Sequence, residues 1–318
     1  MTKLRVAITG AAGNLGGLLA KKMKEQDVHL NLLIHNKGVD ENLRDQANIS
    51  IFSIDLANVD SLHNALKDVD VVIHFAGVLF KAHPEKFLPK TNTLYFNNLL
   101  EVAVQQKIRR VILISFPHVE GESTPQNPAQ GSLDGKPESA HALTRLEEEK
   151  LLFQHAQTHN IEAVSLRVGM VYGKGILMID AAQWFARYHL LGVWRKPTQI
   201  HLISKIDFVD TCISAIEKPN IKGIYHIGDE GIQSLQIFLD TITTYKGNAK
   251  PWRMPVWMIL LAARCFEFYS WLTGSKSPLT VDFVKIGMVS YYGDTSRMRQ
   301  ELLPTLKYKT FENGLELF

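Results

Sequence analysis

The stretch Leu4-Arg5-Val6-Ala7-Ile8-Thr9-Gly10-Ala11-Ala12-Gly13-Asn14-Leu15-Gly16 is the strongest structural signal in this chain. Its first six residues read as a short apolar strand, and the glycines open onto a helical pattern that continues to residue 26. Gly10 and Gly13 permit a tight turn and a close approach of backbone to a pyrophosphate. Gly16 lets helix and strand pack closely, and the helix N-terminus faces the anionic phosphates. Strand, G-x-x-G-x-x-G and helix in that order are far more specific than the glycines alone. They predict a dinucleotide site that includes Asn14 and Leu15 within the loop.

Working outward, short apolar runs alternate with amphipathic stretches, the pattern of parallel strands joined by crossover helices. Strands are predicted over 4–9, 30–35, 49–54, 69–75, 110–115 and 163–167, and helices over 14–26, 59–67, 91–106 and 137–159, the last led by Pro137 in its first turn. The fold class is therefore α/β, a Rossmann-type doubly wound parallel sheet. Residues 1–170 form the dinucleotide-binding domain. Residues 171–318 supply a smaller C-terminal substrate lobe, interleaved with the first and joined to it by no Gly/Ser linker. In that lobe a strand is expected over 223–227 and helices over 234–245 and 256–272. The Pro-, Gly- and amide-rich run 124–131 reads as a surface loop.

Composition narrows the partners. A net charge of +3 is too small to imply nucleic acid, and the clusters Lys21-Lys22-Lys24 and Lys107-Arg109-Arg110 read as solvated helix ends. Cys212 and Cys265 lie far apart without metal-ligand spacing, so both read as reduced, buried thiols and no metal site is expected. The N-terminus runs straight into a strand without a signal-peptide pattern, which points to the cytoplasm. The segment 256–272 opens on eight apolar residues but is short and carries Arg264 and Glu267, so it does not read as a membrane span. Trp257 and Trp271 would suit a membrane surface, but a helix packed over the substrate pocket accounts for the same residues and is the preferred reading.

A second cluster supports the first. Ser53-Ile54-Asp55-Leu56 ends a strand where a carboxylate can accept from an adenine amino group, and Phe75-Ala76-Gly77 ends the next where small residues let a cofactor pass. With Asn92, Asn98-Leu99-Leu100-Glu101, Val111-Ile112-Leu113-Ile114-Ser115, Leu166-Arg167-Val168-Gly169-Met170-Val171-Tyr172-Gly173, Gly223-Ile224-Tyr225-His226-Ile227-Gly228 and Asp294-Thr295-Ser296-Arg297, the chain resembles the extended (atypical) short-chain dehydrogenase/reductases. That family includes NAD-dependent epimerases and dehydratases, hydroxysteroid dehydrogenases and dihydroflavonol-type reductases. The resemblance covers nearly the whole chain and implies an NAD(P)-binding protein acting on a hydroxyl or carbonyl of a small apolar or sugar-like substrate. It also implies a homodimer in which helices 91–106 and 137–159 pair with their copies. Asn92 joins the cofactor-binding residues on the same ground.

The choice of dinucleotide turns on the end of the second strand. An acid about 20 residues after the glycine loop would bind a ribose 2′-hydroxyl and repel a 2′-phosphate. This chain offers His35-Asn36-Lys37 instead, which favours NADP over NAD without excluding the latter.

The resemblance implies a Ser or Thr, a Tyr and a Lys acting together, with Tyr and Lys four residues apart on one helix face. That face carries His141 and Arg145, with Thr144 before and Glu149 after fixing the register. Phe116 stands where the hydroxyl is expected, and Ser115 lies one residue earlier, on the other side of an extended strand. Two readings stay open. In one, His141 is the general acid/base, since imidazole titrates near neutral pH, and Arg145 holds the ribose. In the other, the chain is a non-catalytic dinucleotide-binding redox sensor or scaffold. His118, Glu120, Tyr172, Lys174, Trp184, Trp194 and His201 are weaker candidates for substrate contacts.

Overall fold

Val6 and Ile8 point to one side of the first strand and Ala7 to the other, and all three are fully buried, so the strand must be covered on both faces. The computed structural model, which describes residues 3–78, 81–275, 277 and 279–318, satisfies that demand with helices on both sides of a parallel sheet. In chain order the elements are β1 (Leu4–Thr9), α1 (Asn14–Met23), β2 (Val28–Ile34), β3 (Ile49–Ser53), α2 (Val59–Ala65), β4 (Val71–His74), α3 (Tyr95–Gln105), β5 (Arg110–Ser115), α4 (Ala140–Thr158) and β6 (Glu162–Val168). There follow β7 (Met170–Tyr172), α5 (Leu177–Arg187), β8 (Gly192–Trp194), β9 (Gln199–Ile200), β10 (Leu202–Ser204), α6 (Lys205–Glu217), β11 (Gly223–Ile227), β12 (Gln233–Ser234), α7 (Leu235–Tyr245), β13 (Trp252–Met254), α8 (Val256–Thr273) and α9 (Val281–Met288).

Seven parallel strands run in the order β11-β6-β5-β4-β1-β2-β3. One face packs on α1 and α6 through Leu19, Met23, Phe208 and Cys212. The other packs on α2, α3 and α4 through Leu62, Leu99, Leu100 and Leu152. Each such side chain contributes roughly 1.5–3 kcal/mol by leaving water. Beyond the sheet, Val193, Trp194, Ile259, Ala263 and Val284 form a small separate cluster in the C-terminal part.

Several expectations change in detail. The helix expected from Pro137 starts at Ala140, because the Ser139 side chain caps it by accepting from Ala142 N at 3.1 Å. The helix expected over 91–106 begins as a π-type turn, Pro89–Leu94, before α3. The fourth strand starts late, since the Asp70 carboxylate accepts from Arg5 N at 2.8 Å beside the ladder. Cys212 is buried as expected, but Cys265 is exposed. The helix expected to pack over the substrate pocket, α8, leaves most of its surface in solvent: of its 18 residues only Ile259, Ala263 and Ser270 are buried. No helix among the described residues is long and apolar enough to cross a membrane.

Candidate functional site

The strand order reverses at β1, with β2 and β3 added on one side and β4, β5, β6 and β11 on the other. A crevice opens at such a switch point, at the carboxyl ends of β1 and β4. Thr9 fixes its floor: Oγ1 bonds His74 Nδ1 at 2.9 Å and accepts from Phe75 N at 3.2 Å and Ala76 N at 3.3 Å. His74 is fully buried, and burial, reinforced by Arg145, pulls its pKa down to about 3. Gly10 adopts φ +67°, and a Cβ there would sit 3.0 Å from Ala76 N, so the turn admits only glycine.

Gly13 N donates to Gly10 O at 2.8 Å. A Cβ on Gly13 or Gly16 would lie 2.9 or 2.6 Å from that same oxygen. Gly13 is the N-cap of α1, with no side-chain cap and no acid in the first turn. The terminal N–H groups of α1 thus stay available to an anion, and the cradle fits a pyrophosphate. Asn14 ties this loop to the C-terminal part: Nδ2 donates to Gly175 O at 2.6 Å and Oδ1 accepts from Leu177 N at 3.0 Å. Leu15 packs on the core.

His35, Asn36 and Lys37 are all exposed beyond β2. The nearest acid, Asp40, is engaged by Lys21 at 2.6 Å, a bond that holds its carboxyl below the usual range. Arg44, which the sequence reading missed, brings Nη2 within 3.5 Å of Val39 O and within 3.3 Å of where a Gly38 Cβ would stand. Asp55 turns one oxygen back to Ala57 N at 2.9 Å, and Leu56 O accepts from Asn98 Nδ2 of α3 at 2.9 Å. Phe75 meets Phe208 edge-on at 6.3 Å.

The two α4 residues reach the crevice differently. Arg145 Nη2 lies 3.2 Å from where a Gly77 Cβ would be, so the guanidinium rests against the chain just beyond β4. Its Nη1 is 2.9 Å from Glu148 Oε2. Glu148 is completely buried; burial raises its pKa, Arg145 opposes and Glu149 adds to it, leaving it pushed up to about 7. His141 is 6% exposed, and its Nδ1 sits 2.5 Å from Asp282 Oδ2 and its Nε2 3.2 Å from Val78 O. Asp282 comes from the first turn of α9, and its other oxygen accepts from Ala140 N at 3.1 Å. One carboxylate of the C-terminal part therefore both orients the ring and satisfies a donor at the start of α4. Asn92 is buried and reaches Thr144 Oγ1 at 3.4 Å.

Ser115 is 3% exposed and its Oγ has no hydrogen-bond partner among the described residues. The Phe116 ring lies 5.5 Å from that of His118, which in turn packs 4.3 Å from Tyr291. Burial lowers the His118 pKa to about 4.

Glu120 belongs to a buried network and not to an open loop. It accepts from Arg167, from His226 Nε2 at 2.9 Å and from Gly131 N at 2.8 Å. Burial alone would raise its pKa, but His226 and Arg167 outweigh that and hold it at about 2. Arg167 also grips Glu149 at 2.5 Å, and both are fully buried. Tyr172, Trp194 and His201 are core residues: Tyr172 packs on Phe311 and Phe318, Trp194 Nε1 donates to Thr198 Oγ1 at 2.7 Å, and His201 Nε2 bonds Asp229 O at 2.8 Å. Lys174 and Trp184 line an open cavity of about 340 Å³ beside α5.

These features find a common explanation in similar proteins. The model of the NAD dependent epimerase/dehydratase family matches residues 6–228. The chain is 25% identical over 295 residues to a UDP-glucose 4-epimerase of Vibrio cholerae, covering 85% of this chain and 83% of that one. It is 27% identical over 165 residues to a uronate dehydrogenase of Pseudomonas syringae pv. tomato, 52% of this chain and 58% of that one, so it spans about three-fifths of that relative's length. A structure of UDP-glucuronic acid 4-epimerase from Bacillus cereus, in complex with UDP-glucuronic acid and NAD, superposes with a TM-score of 0.75 at 20% identity, covering 99% of this chain and 97% of that one. A UDP-glucose 4-epimerase of Thermotoga maritima does so with a TM-score of 0.77 at 15% identity, over 99% and 97%. The fold is shared with these structures, and the chain belongs to the NAD dependent epimerase/dehydratase family.

Proposed function

We propose that this chain is an NAD(P)-dependent oxidoreductase or epimerase-like enzyme acting on a hydroxyl or carbonyl of a small sugar-like substrate, in the cytoplasm and as a homodimer. The observation that carries the reading is the placement of Arg145. It lies one helical turn after His141 and rests against Gly77 at the crevice, where a cation can donate to ribose hydroxyls. A bound nicotinamide would supply the hydride chemistry. The chain's own part is binding by Gly10, Gly13, Gly16 and the α1 N-terminus, and proton transfer by His141.

In that role the Asp282 carboxylate holds Nδ1–H and aims Nε2, while the bond from Nε2 to Val78 O, at 3.2 Å, is the one that yields to a substrate oxygen. Phe116 replaces a hydroxyl with an apolar wall, so substrate orientation falls to other groups. NADP is the favoured dinucleotide because Lys37 and Arg44 flank the end of β2 and Asp40 is occupied by Lys21.

A second reading, a non-catalytic dinucleotide-binding sensor or scaffold, draws on the same ring. Both nitrogens of His141 already have oxygen partners, which is what a purely structural histidine would show. Absorbance at 340 nm with a panel of sugars, uronates and ketones separates the two. The enzyme reading expects turnover that His141→Ala lowers by about two to four orders of magnitude. Inert wild type beside turnover by a His141→Tyr, Arg145→Lys, Phe116→Ser triple replacement would establish the sensor reading instead.

A further inference from the structure

Helix α8 is apolar all round, and the fold uses only one side of it. Ile259 and Ala263 turn inward, into the cluster with Val193, Trp194 and Val284, and Ser270 is buried too, its hydroxyl bonded to Ser275 O. The opposite side carries Trp257, Leu261, Cys265, Phe268 and Leu272, which fall on one stripe of a helix, and all five are exposed. Trp271 beside them is 74% exposed and Tyr269 60%. Arg264 is the one charged residue among the exposed positions of α8. Seventeen of the twenty large hydrophobic side chains exposed among the described residues lie after Ile176. Four of the five tryptophans are among them, whereas tryptophan in a soluble chain is ordinarily well buried. An amphipathic indole favours the boundary between water and lipid.

Charge identifies what covers this face. Segments 174–196 and 235–275, which hold α5, β8, α7, β13 and α8, contain eight lysines and arginines against three carboxylates, while the rest of the chain has 27 against 29. All three carboxylates are engaged: Asp240 with Arg253 at 2.7 Å, Glu267 with Val281 N at 2.9 Å and Asp180 with Gly175 N at 3.2 Å. A second copy docked through the same face would set like charge against like charge. A surface of anionic lipid headgroups is complementary to the basic residues and offers an apolar layer to the aromatic stripe. We propose that this face docks on an anionic bilayer, with α8 lying in the plane of the interface.

The full chain should co-float with vesicles of phosphatidylcholine containing about 30% phosphatidylglycerol, bind vesicles of phosphatidylcholine alone far less, and be released as salt shortens the screening length. Combining Trp257→Ser, Phe268→Ser and Trp271→Ser should lower the partition coefficient at least about tenfold. Lys246→Glu with Lys250→Glu, both exposed, should lower it about fivefold or more on anionic vesicles. Circular dichroism and melting curves should match wild type in both variants. Brominated lipid should quench wild-type tryptophan fluorescence. Absence of partition into anionic vesicles would overturn the proposal, as would partition that neither variant changes. So would a wild-type dimer, seen in sedimentation and abolished by the serine variant, in a protein that ignores vesicles.

Discussion

Replacing Asp282 with alanine removes two bonds that join α9 to α4. The bond to Ala140 N satisfies a donor in the first turn of α4, worth about 1 kcal/mol by analogy with a helix cap. The bond to His141 Nδ1, at 2.5 Å between groups 12% and 6% exposed, is charge-assisted and worth roughly 1.5–3 kcal/mol. Asp282→Ala should therefore cost about 3 kcal/mol, a fall in Tm of about 6 °C at roughly 2 °C per kcal/mol for a chain of this length. Asp282→Asn can keep the bond to Ala140 N and should cost about half as much. The decisive form is a double-mutant cycle with His141→Ala, measured by urea unfolding. Side chains in direct contact should couple by about 1.5–3 kcal/mol, whereas additivity within roughly 0.5 kcal/mol would refute the Asp282–His141 bond.

Two further outcomes follow from the geometry. Gly13→Val places a Cβ 2.9 Å from the Gly10 oxygen that its own N–H needs, so dinucleotide affinity in a calorimetric titration should fall by about 100-fold or more with the fold retained. Unchanged affinity would remove the loop from the site. Asp229 is buried, and burial first, then Glu312, Asp207 and Glu230, push its pKa up to about 7 despite the bond from Gly231 N. A carboxyl raised in the folded state favours folding below its unfolded pKa near 4, and that contribution is lost as pH rises through about 7. Asp229→Asn, which can still accept from Gly231 N, should match wild type near pH 4 and exceed it by a few kcal/mol at pH 8. Parallel curves for the two proteins across that range would contradict the assignment.

The glycine loop was legible because its constraint is local. A backbone oxygen 2.6–2.9 Å from two would-be Cβ atoms dictates glycine whatever the rest of the chain does. The sheet was legible for a similar reason, since strands buried on both faces read as unbroken apolar runs. Asp282 was not legible: it lies 141 residues from its partner, and an acid in a helix's first turn usually needs no explanation beyond the helix dipole. Glu149 was read only for register, and Glu148 was not singled out at all. On a helix with so little amphipathic contrast, nothing local marks two adjacent acids as fully buried, and the partner of Glu149, Arg167, comes from the neighbouring strand β6. Helix α8 was expected to cover the pocket, yet most of its surface stays in solvent, because a largely apolar helix can bury one side in its own fold and leave the other for a partner or a lipid surface. Sequence pattern alone does not choose between them. Arg44 escaped notice because it returns to the end of β2 only after the short turn Glu41–Leu43.

We place the dinucleotide site between the ends of β1 and β4, with the α4 pair at its mouth. Calorimetric titration of the wild-type chain with NADP and with NAD tests this placement most directly, with Lys37→Glu and Arg44→Glu as companions. Saturable binding of one dinucleotide per chain is expected, tighter for NADP, with each charge reversal shifting the preference towards NAD by about fivefold to tenfold. Absence of binding by either dinucleotide at millimolar concentration would contradict it.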